Sequence, residues 1–284
     1  MSAETDSPTV ELLIAVDPSY QDRLVAELDR LGFEAYLQDD EEIRAYIPSS
    51  RWSATLNTQV RRLLSKIGLP PDARITVIPP QNWNQRWEDT IEPVAVGVFI
   101  VTPSWHRDQS RELGLIPLEI DPKMSFGTGY HATTRLILHM LPSVVRGGER
   151  VLDAGTGTGI LAIAAARLGA SFVVGVDIDP WSERNALENC DRNGVADVVR
   201  IRLCDVEAVE ETAFDVILAN IQLDVIVRSF ASLRSRLVTG GRILVSGILR
   251  SQAHELARFV ESMDMHVEDS RVEGDWWATA LRSA

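Results

Sequence analysis

The chain is poor in cysteine: its 284 residues include two, Cys190 and Cys204, and neither belongs to a CxxC or CxxH pair. That spacing excludes a disulfide framework and a zinc finger, and no metal site is expected. Both thiols read as small buried hydrophobes. Long hydrophobic runs are missing as well. No stretch approaches the roughly eighteen continuous apolar residues that a membrane helix needs, and the first residues, MSAETDSPTVE, are polar and acidic. A transmembrane span and a secretory signal peptide are therefore not expected, and a soluble cytoplasmic protein without membrane contact is. Positive charge is the third shortage. Lys and Arg total 28 against 41 Asp and Glu, a formal net charge of -13. Such a surface repels phosphate backbones, so no direct nucleic-acid partner is expected. A basic protein partner or a cationic ligand fits the charge, and so does acidity for solubility alone. With no obvious pairing helix, a monomer is expected.

What is present is apolar content sufficient for a large domain and a small one. In residues 1–79, VELLIAV is strand-like, and Pro18 opens a helical pattern with Leu24, Leu28 and Leu31 on one face, closed by Gly32. FEAYLQ and EIRAYIP read as strands about an acidic turn. Leu56, Val60, Leu63, Leu64 and Ile67 recur at helical spacing before Gly68, and ARITVIP is a last strand. The order βαββαβ predicts a small α+β ferredoxin-like domain. Residues 80–120 read as a joint: Trp83 and Trp87, at i and i+4, predict a short helix with an aromatic face, and VFIVTPSW predicts one strand.

From Arg150 onward strands and helices alternate. RVLDAG, FVVGVDI, VVRIRLC, FDVILANI and RILVSGI are short apolar runs of the kind buried on both faces. HVEDSRVEGDWWATALR reads as two strands joined at Gly274, an antiparallel addition. The α/β class follows, with a doubly wound, mostly parallel seven-stranded sheet over 121–284 and ligands at the carboxyl ends of its strands.

Two glycine-rich runs lie close together, DPKMSFGTGYHATTRL and VLDAGTGTGIL. In the second, Gly155, Gly157 and Gly159 are spaced G-x-G-x-G, and Asp153 precedes them. A carboxylate there would repel pyrophosphate and suits an ammonium group instead. Close-packed glycines let the backbone touch a ligand such as the methionine part of S-adenosylmethionine. Asp177 ends the next strand, where a carboxylate accepts from both hydroxyls of a ribose. Asp179 competes for that role but stands just ahead of Pro180, which marks it as a helix cap. Asp205, after the third strand, is placed either to reach an adenine amino group or as a plain loop residue. Asn220 ends the fourth strand, beside which the strand order reverses. Ile221 and Gln222 follow it, where enzymes that methylate planar amines carry Pro-Pro-aromatic. An aliphatic ammonium is the expected target.

These motifs resemble class I S-adenosylmethionine-dependent methyltransferases, and more narrowly the bacterial methyltransferases of large-subunit ribosomal protein L11. The resemblance rests on Trp83 and Trp87, Asp121 to Thr134, Gly155 to Gly159, Asp177, Ala219 to Ile221, Ser246 to Ile248 and Trp276. Tyr130 and Ala132 depart from the family's usual threonine and proline. It implies that residues 1–79 recognise a basic ribosomal protein substrate, L11, and that S-adenosylmethionine is the cofactor. It implies cofactor contacts at Thr134, Gly155, Asp177 and Asn220, and makes the first run, with Phe126, Gly127 and Thr128, a cover over the cofactor. Phe126 would wall the methyl site from water. His131 has two readings: a base that takes a proton from the substrate ammonium, or a structural group at a helix start. Methylation of another protein lysine, of a nucleic acid or of a small molecule are the competing functions, with a non-catalytic cofactor binder behind them.

Overall fold

The computed structural model describes residues 8–283 apart from 40, 72, 80–90, 111–113 and 124. They form two compact units, within Met1–Trp83 and Asn84–Ala284. The expected helix bearing Trp83 and Trp87 lies outside the described residues.

In the small unit β1 (Thr9–Ala15), α1 (Pro18–Asp29), β2 (Ala35–Gln38), β3 (Glu42–Pro48), α2 (Ala54–Lys66) and β4 (Arg74–Ile78) follow one another. The strands pair antiparallel in the order β2-β3-β1-β4, as the βαββαβ pattern predicts. Alternation along β1 buries Val10, Leu12 and Ile14, and its register sets them opposite Ile47, Ala45 and Ile43. Leu24 and Leu28 of α1 and Leu56, Val60 and Leu64 of α2 complete this core. Both helices start on a side-chain cap: Asp17 Oδ1 accepts from Ser19 N at 2.9 Å, and Ser53 Oγ from Leu56 N at 3.1 Å. Such a cap contributes about 1 kcal/mol.

The large unit begins with a small sheet of β5 (Val94–Val96), β6 (Phe99–Thr102) and β7 (Ile116–Glu119). The segment expected as a joint thus supplies core: Val96, Phe99, Val101, Leu118 and Ile120 pack with the helices that follow. Only β6 corresponds to the one strand expected here; β5 is three residues long, and Pro117 interrupts the apolar pattern of β7. The strand tolerates proline at the sheet edge, where it pairs with β6 alone.

The main sheet comprises β8 (Arg150–Ala154), β9 (Phe172–Asp177), β10 (Val199–Leu203), β11 (Phe214–Asn220), β12 (Leu237–Leu249), β13 (Met265–Glu273) and β14 (Trp276–Ser283). Their order is β10-β9-β8-β11-β12-β14-β13, parallel except for β14. The helices are α3 (Ala132–Val144), α4 (Ile160–Arg167), α5 (Pro180–Arg192), α6 (Leu223–Ser235) and α7 (Ala253–Glu261). Val151, Val173, Val216 and Leu244 belong to a core with α3 and α4. Their neighbours Leu152, Val174, Ile217 and Ile243 belong to a second core with α6 and α7. Burial on both faces explains the unbroken apolar runs. Because β8 lies between β9 and β11, the connections leaving β8 and β11 diverge and open a crevice.

Candidate active site

The two glycine runs meet at that crevice. Thr158 N donates to Phe126 O at 2.9 Å, and Thr158 Oγ1 donates to Gly127 O at 2.5 Å. The fit leaves no room for side chains. A Cβ on Gly157, whose φ is +55°, would lie 2.3 Å from Phe126 O; one on Gly127 would lie 2.9 Å from Thr158 Oγ1. The glycines are therefore required by the other loop as much as by any ligand. Ile221 follows the same logic. Its side chain and carbonyl occupy the space that Cβ atoms on Gly155 and Gly247 would need, at 2.5 and 2.6 Å.

A cleft of about 470 Å³ opens beside these loops, lined by Phe126, Gly155, Gly157, Asp177, Asp205 and Asn220 among others. Asp177 Oδ2 accepts from Gly157 N at 2.9 Å and Oδ1 from Asp179 N at 3.0 Å. One contact to each oxygen fixes the carboxylate and leaves it acceptor capacity toward the cleft. Asp179 also lines the cleft but is engaged as the cap of α5, accepting from Trp181 N at 3.1 Å and Ser182 Oγ at 3.2 Å.

A second chamber of about 260 Å³ shares Phe126, Asn220, Ile221 and Gln222 with the cleft and adds His131, Thr133, Gly247 and Trp276. Its wall is aromatic: the His131 ring meets Phe126 edge-on at 5.3 Å and Trp276 at 5.0 Å between centroids. Asn220 stands where the two cavities meet. Its Nδ2 donates to Thr134 Oγ1 at 3.3 Å, and its Oδ1 is buried without a partner. A buried, unsatisfied amide oxygen costs free energy unless a ligand completes it. His131 caps α3, with Nδ1 accepting from Thr133 N at 3.4 Å and 2.8 Å from Thr133 Oγ1. The lone pair that a base would use is thus engaged locally, which favours the structural reading of this residue.

Several expected ligand contacts lie elsewhere. Asp153 is fully buried beneath the loop rather than facing an ammonium; its Oδ2 accepts from Thr156 Oγ1 at 2.7 Å and Ala162 N at 3.2 Å. Burial pushes its carboxyl up to about 7. Gly159 opens α4 and packs on α5, where a Cβ would lie 3.2 Å from that of Ala186. Thr134 is fully buried and lines neither cavity, so it acts on the site through Asn220. Gly127 and Thr128 also line neither; Thr128 Oγ1 accepts from Tyr130 N at 3.4 Å within the turn.

Sequence reasoning missed the groups that hold the first run in place. Asn185 and Asn189 of α5 and Asn193 at its C-cap repeat every fourth residue. Asn185 Nδ2 donates to Pro122 O at 2.9 Å, and Asn193 Nδ2 to Glu119 O at 2.7 Å. Asn189 Oδ1 accepts from Asp121 N at 3.1 Å, while its Nδ2 donates to Thr158 O at 2.9 Å and Asp121 O at 3.3 Å. One stripe of amides thus seats residues 119–122, which lead from β7 to the cover segment, and ties them to the glycine loop. The four-residue spacing was the available signal. Read alone, it passes for a polar helix face.

The cleft fits an elongated ligand with a diol and a planar apolar part: Asp177 supplies the acceptor, while Val176, Ile178 and Val206 supply walls. Comparison with known proteins agrees with this reading. The family model for ribosomal protein L11 methyltransferase matches residues 7–283. A ribosomal protein L11 methyltransferase of Chlorobaculum tepidum is 34% identical over 278 residues, covering 96% of this chain and 95% of its own length. One from Porphyromonas gingivalis is 36% identical over 264 residues, with coverage of 90% and 89%. The crystal structure of a ribosomal protein L11 methylase from Lactobacillus delbrueckii subsp. bulgaricus superposes with a TM-score of 0.64 at 28% identity, over 68% of this chain and all of that one.

Proposed function

The chain belongs to the ribosomal protein L11 methyltransferase family, and from that premise we propose that it methylates amines of ribosomal protein L11, lysine side chains or the N-terminus, with S-adenosylmethionine as donor. The observation that carries the reading is Asn220 Oδ1, buried and unpartnered at the junction of the two cavities. When bound, the sulfonium supplies an electrophilic methyl group. The chain's own residues do the rest. Asp177 and the loop at Gly155 and Gly157 would hold the cofactor in the larger cleft. The amine would enter the aromatic chamber, where Phe126, His131 and Trp276 replace part of its hydration shell. Desolvation there lowers the amine's pKa, so that its proton passes to solvent. Asn220 Oδ1 then accepts one of the remaining N–H groups and orients the lone pair, its own amide fixed by Thr134.

Intact-mass measurement against time, with S-adenosylmethionine and purified L11, tests this. Stepwise methyl additions are expected. In Asn220→Ala, turnover should fall by roughly ten- to a hundredfold with cofactor affinity little changed, the loss of one hydrogen bond to a polar reacting group. Equal losses in turnover and cofactor affinity would remove Asn220 from the acceptor site. No methylation of L11 by the unaltered chain would overturn the substrate.

A further inference from the structure

Beyond the aromatic chamber lies a third cavity, a groove of about 540 Å³ that shares Gln222, Gly247 and Trp276 with it. The three cavities thus lie around common walls: Gln222 lines all of them, and Gly247 and Trp276 line both the chamber and the groove. The groove has an apolar floor of Leu223, Val227 and Leu249 beside the Trp276 ring, and two carboxylates, Asp224 and Glu255. Both are exposed, and neither makes a hydrogen bond or an ion pair with any described residue. Arg228, four residues after Asp224, lines the cofactor cleft instead. Each carboxylate lies in the first turn of its helix, where it also favours the helix dipole. That role is indifferent to the groove and would be served as well by acids pointing anywhere around the turn.

We propose that the outer groove is a docking subsite for the substrate segment flanking the acceptor amine, in which Asp224 and Glu255 receive a Lys or Arg side chain of that segment. The reading rests on the function proposed above. Three features support it: walls shared with the chamber, apolar residues suited to an aliphatic stem, and carboxylates unpaired among the described residues and suited to a cationic head. Acceptor amines would thus be selected by the charge beside them as well as by their own.

The test uses the full chain saturated with S-adenosylhomocysteine. Calorimetry measures binding of a short lysine-containing peptide and of its counterpart in which the neighbouring lysines are replaced by glutamine. The chain should prefer the lysine peptide. In the double variant Asp224→Asn/Glu255→Gln that preference should fall by roughly three- to tenfold, the range for two partly exposed ion pairs. A control, Asp197→Asn/Glu210→Gln, removes the same charge from two exposed positions that line none of these cavities and should leave the preference unchanged. Unchanged affinity for S-adenosylhomocysteine reports that each variant is folded. Equal preference in all three proteins, equal loss in the control, or no preference in the unaltered chain would each overturn the subsite. Methylation of L11, followed separately, reports on the function: charge-dependent peptide binding without L11 methylation would keep the groove and reject that substrate.

Discussion

Within Met1–Trp83 only Gln21 is a buried polar side chain among the described residues, and its Nε2 donates to Asp39 O at 2.6 Å. The larger unit buries Glu119, Asp121, Thr134, Asp153, Asn185, Asn189 and Ser246, among others. Among the described residues, the four buried side-chain atoms without a partner also lie in it: Tyr130 Oη, Asp153 Oδ1, Asn220 Oδ1 and Ser246 Oγ. Glycine divides by place rather than by unit, since Gly114, Gly194 and Gly274 of the large unit also have open surroundings. Cβ atoms on Gly32 and Gly68 would meet nothing within 4 Å, whereas those on Gly127, Gly155, Gly157 and Gly247 would meet another loop at 2.9 Å or less. The small unit is consistent at every level, from strand alternation to caps. The large unit carries unsatisfied polar groups and tight loop contacts, and Asn220, Gly155, Gly157 and Gly247 among them line its cavities, where stability is given up for binding.

Alanine at matched glycines separates the units most sharply. Gly157→Ala combines a left-handed backbone with a collision against Phe126 O, and should cost roughly 2–5 kcal/mol as well as abolishing cofactor binding. Gly68→Ala, with its φ of +83° and open surroundings, carries only the backbone cost of about 1–2 kcal/mol. Urea unfolding compares them, and equal losses would dissolve the distinction. Next in size is Asn189→Ala, which strands Asp121 N and the carbonyls of Asp121 and Thr158. A loss of roughly 2–4 kcal/mol and a raised Kd for S-adenosylmethionine are expected, against about 1 kcal/mol for Gln21→Ala. If cofactor affinity held in Asn189→Ala, the amide stripe would be a fold device alone.

The smallest effect concerns pH. Burial raises the Asp153 carboxyl from its ordinary 3.8 to about 7 in the folded chain. Between those values the folded state binds more protons than the unfolded one, so this group's contribution to stability falls as pH rises from about 4 to 7. Asp153→Asn should remove that slope and gain about 1–3 kcal/mol at pH 8. Urea midpoints at pH 5 and pH 8 would decide it; parallel pH dependence in both proteins would refute the assignment.

How much of this was legible follows from where each signal lies along the chain. The strands of the main sheet announce themselves because burial on both faces leaves unbroken apolar runs. Asp179 is legible as a helix cap because Pro180 marks the first residue of α5. Asp153 and Thr134 sit in motifs that mark the site, but a motif gives position along the chain and not depth; both lie behind the cavity wall. The asparagines of α5 were unreadable for a related reason. Their partners are backbone atoms of a segment far off in sequence, and only the folded crossing of α5 over residues 119–122 makes them meaningful. Trp276, which carries no local signal beyond the family pattern, reaches the chamber because β14 is inserted beside β12, with Trp276 opposite Leu249.

The contact between Gly157 and Phe126 O also bears on what can be inherited or transplanted. The two glycine runs fit against each other at Phe126, Gly127, Gly157 and Thr158, with no space left for a side chain at either glycine. A chimera that takes the loop after β8 from another methyltransferase, without the stretch preceding α3, would bring two surfaces that do not mate. Residues 125–129 and 155–159 are two pieces of sequence and one piece of hardware, and any recombination that separates them must rebuild both.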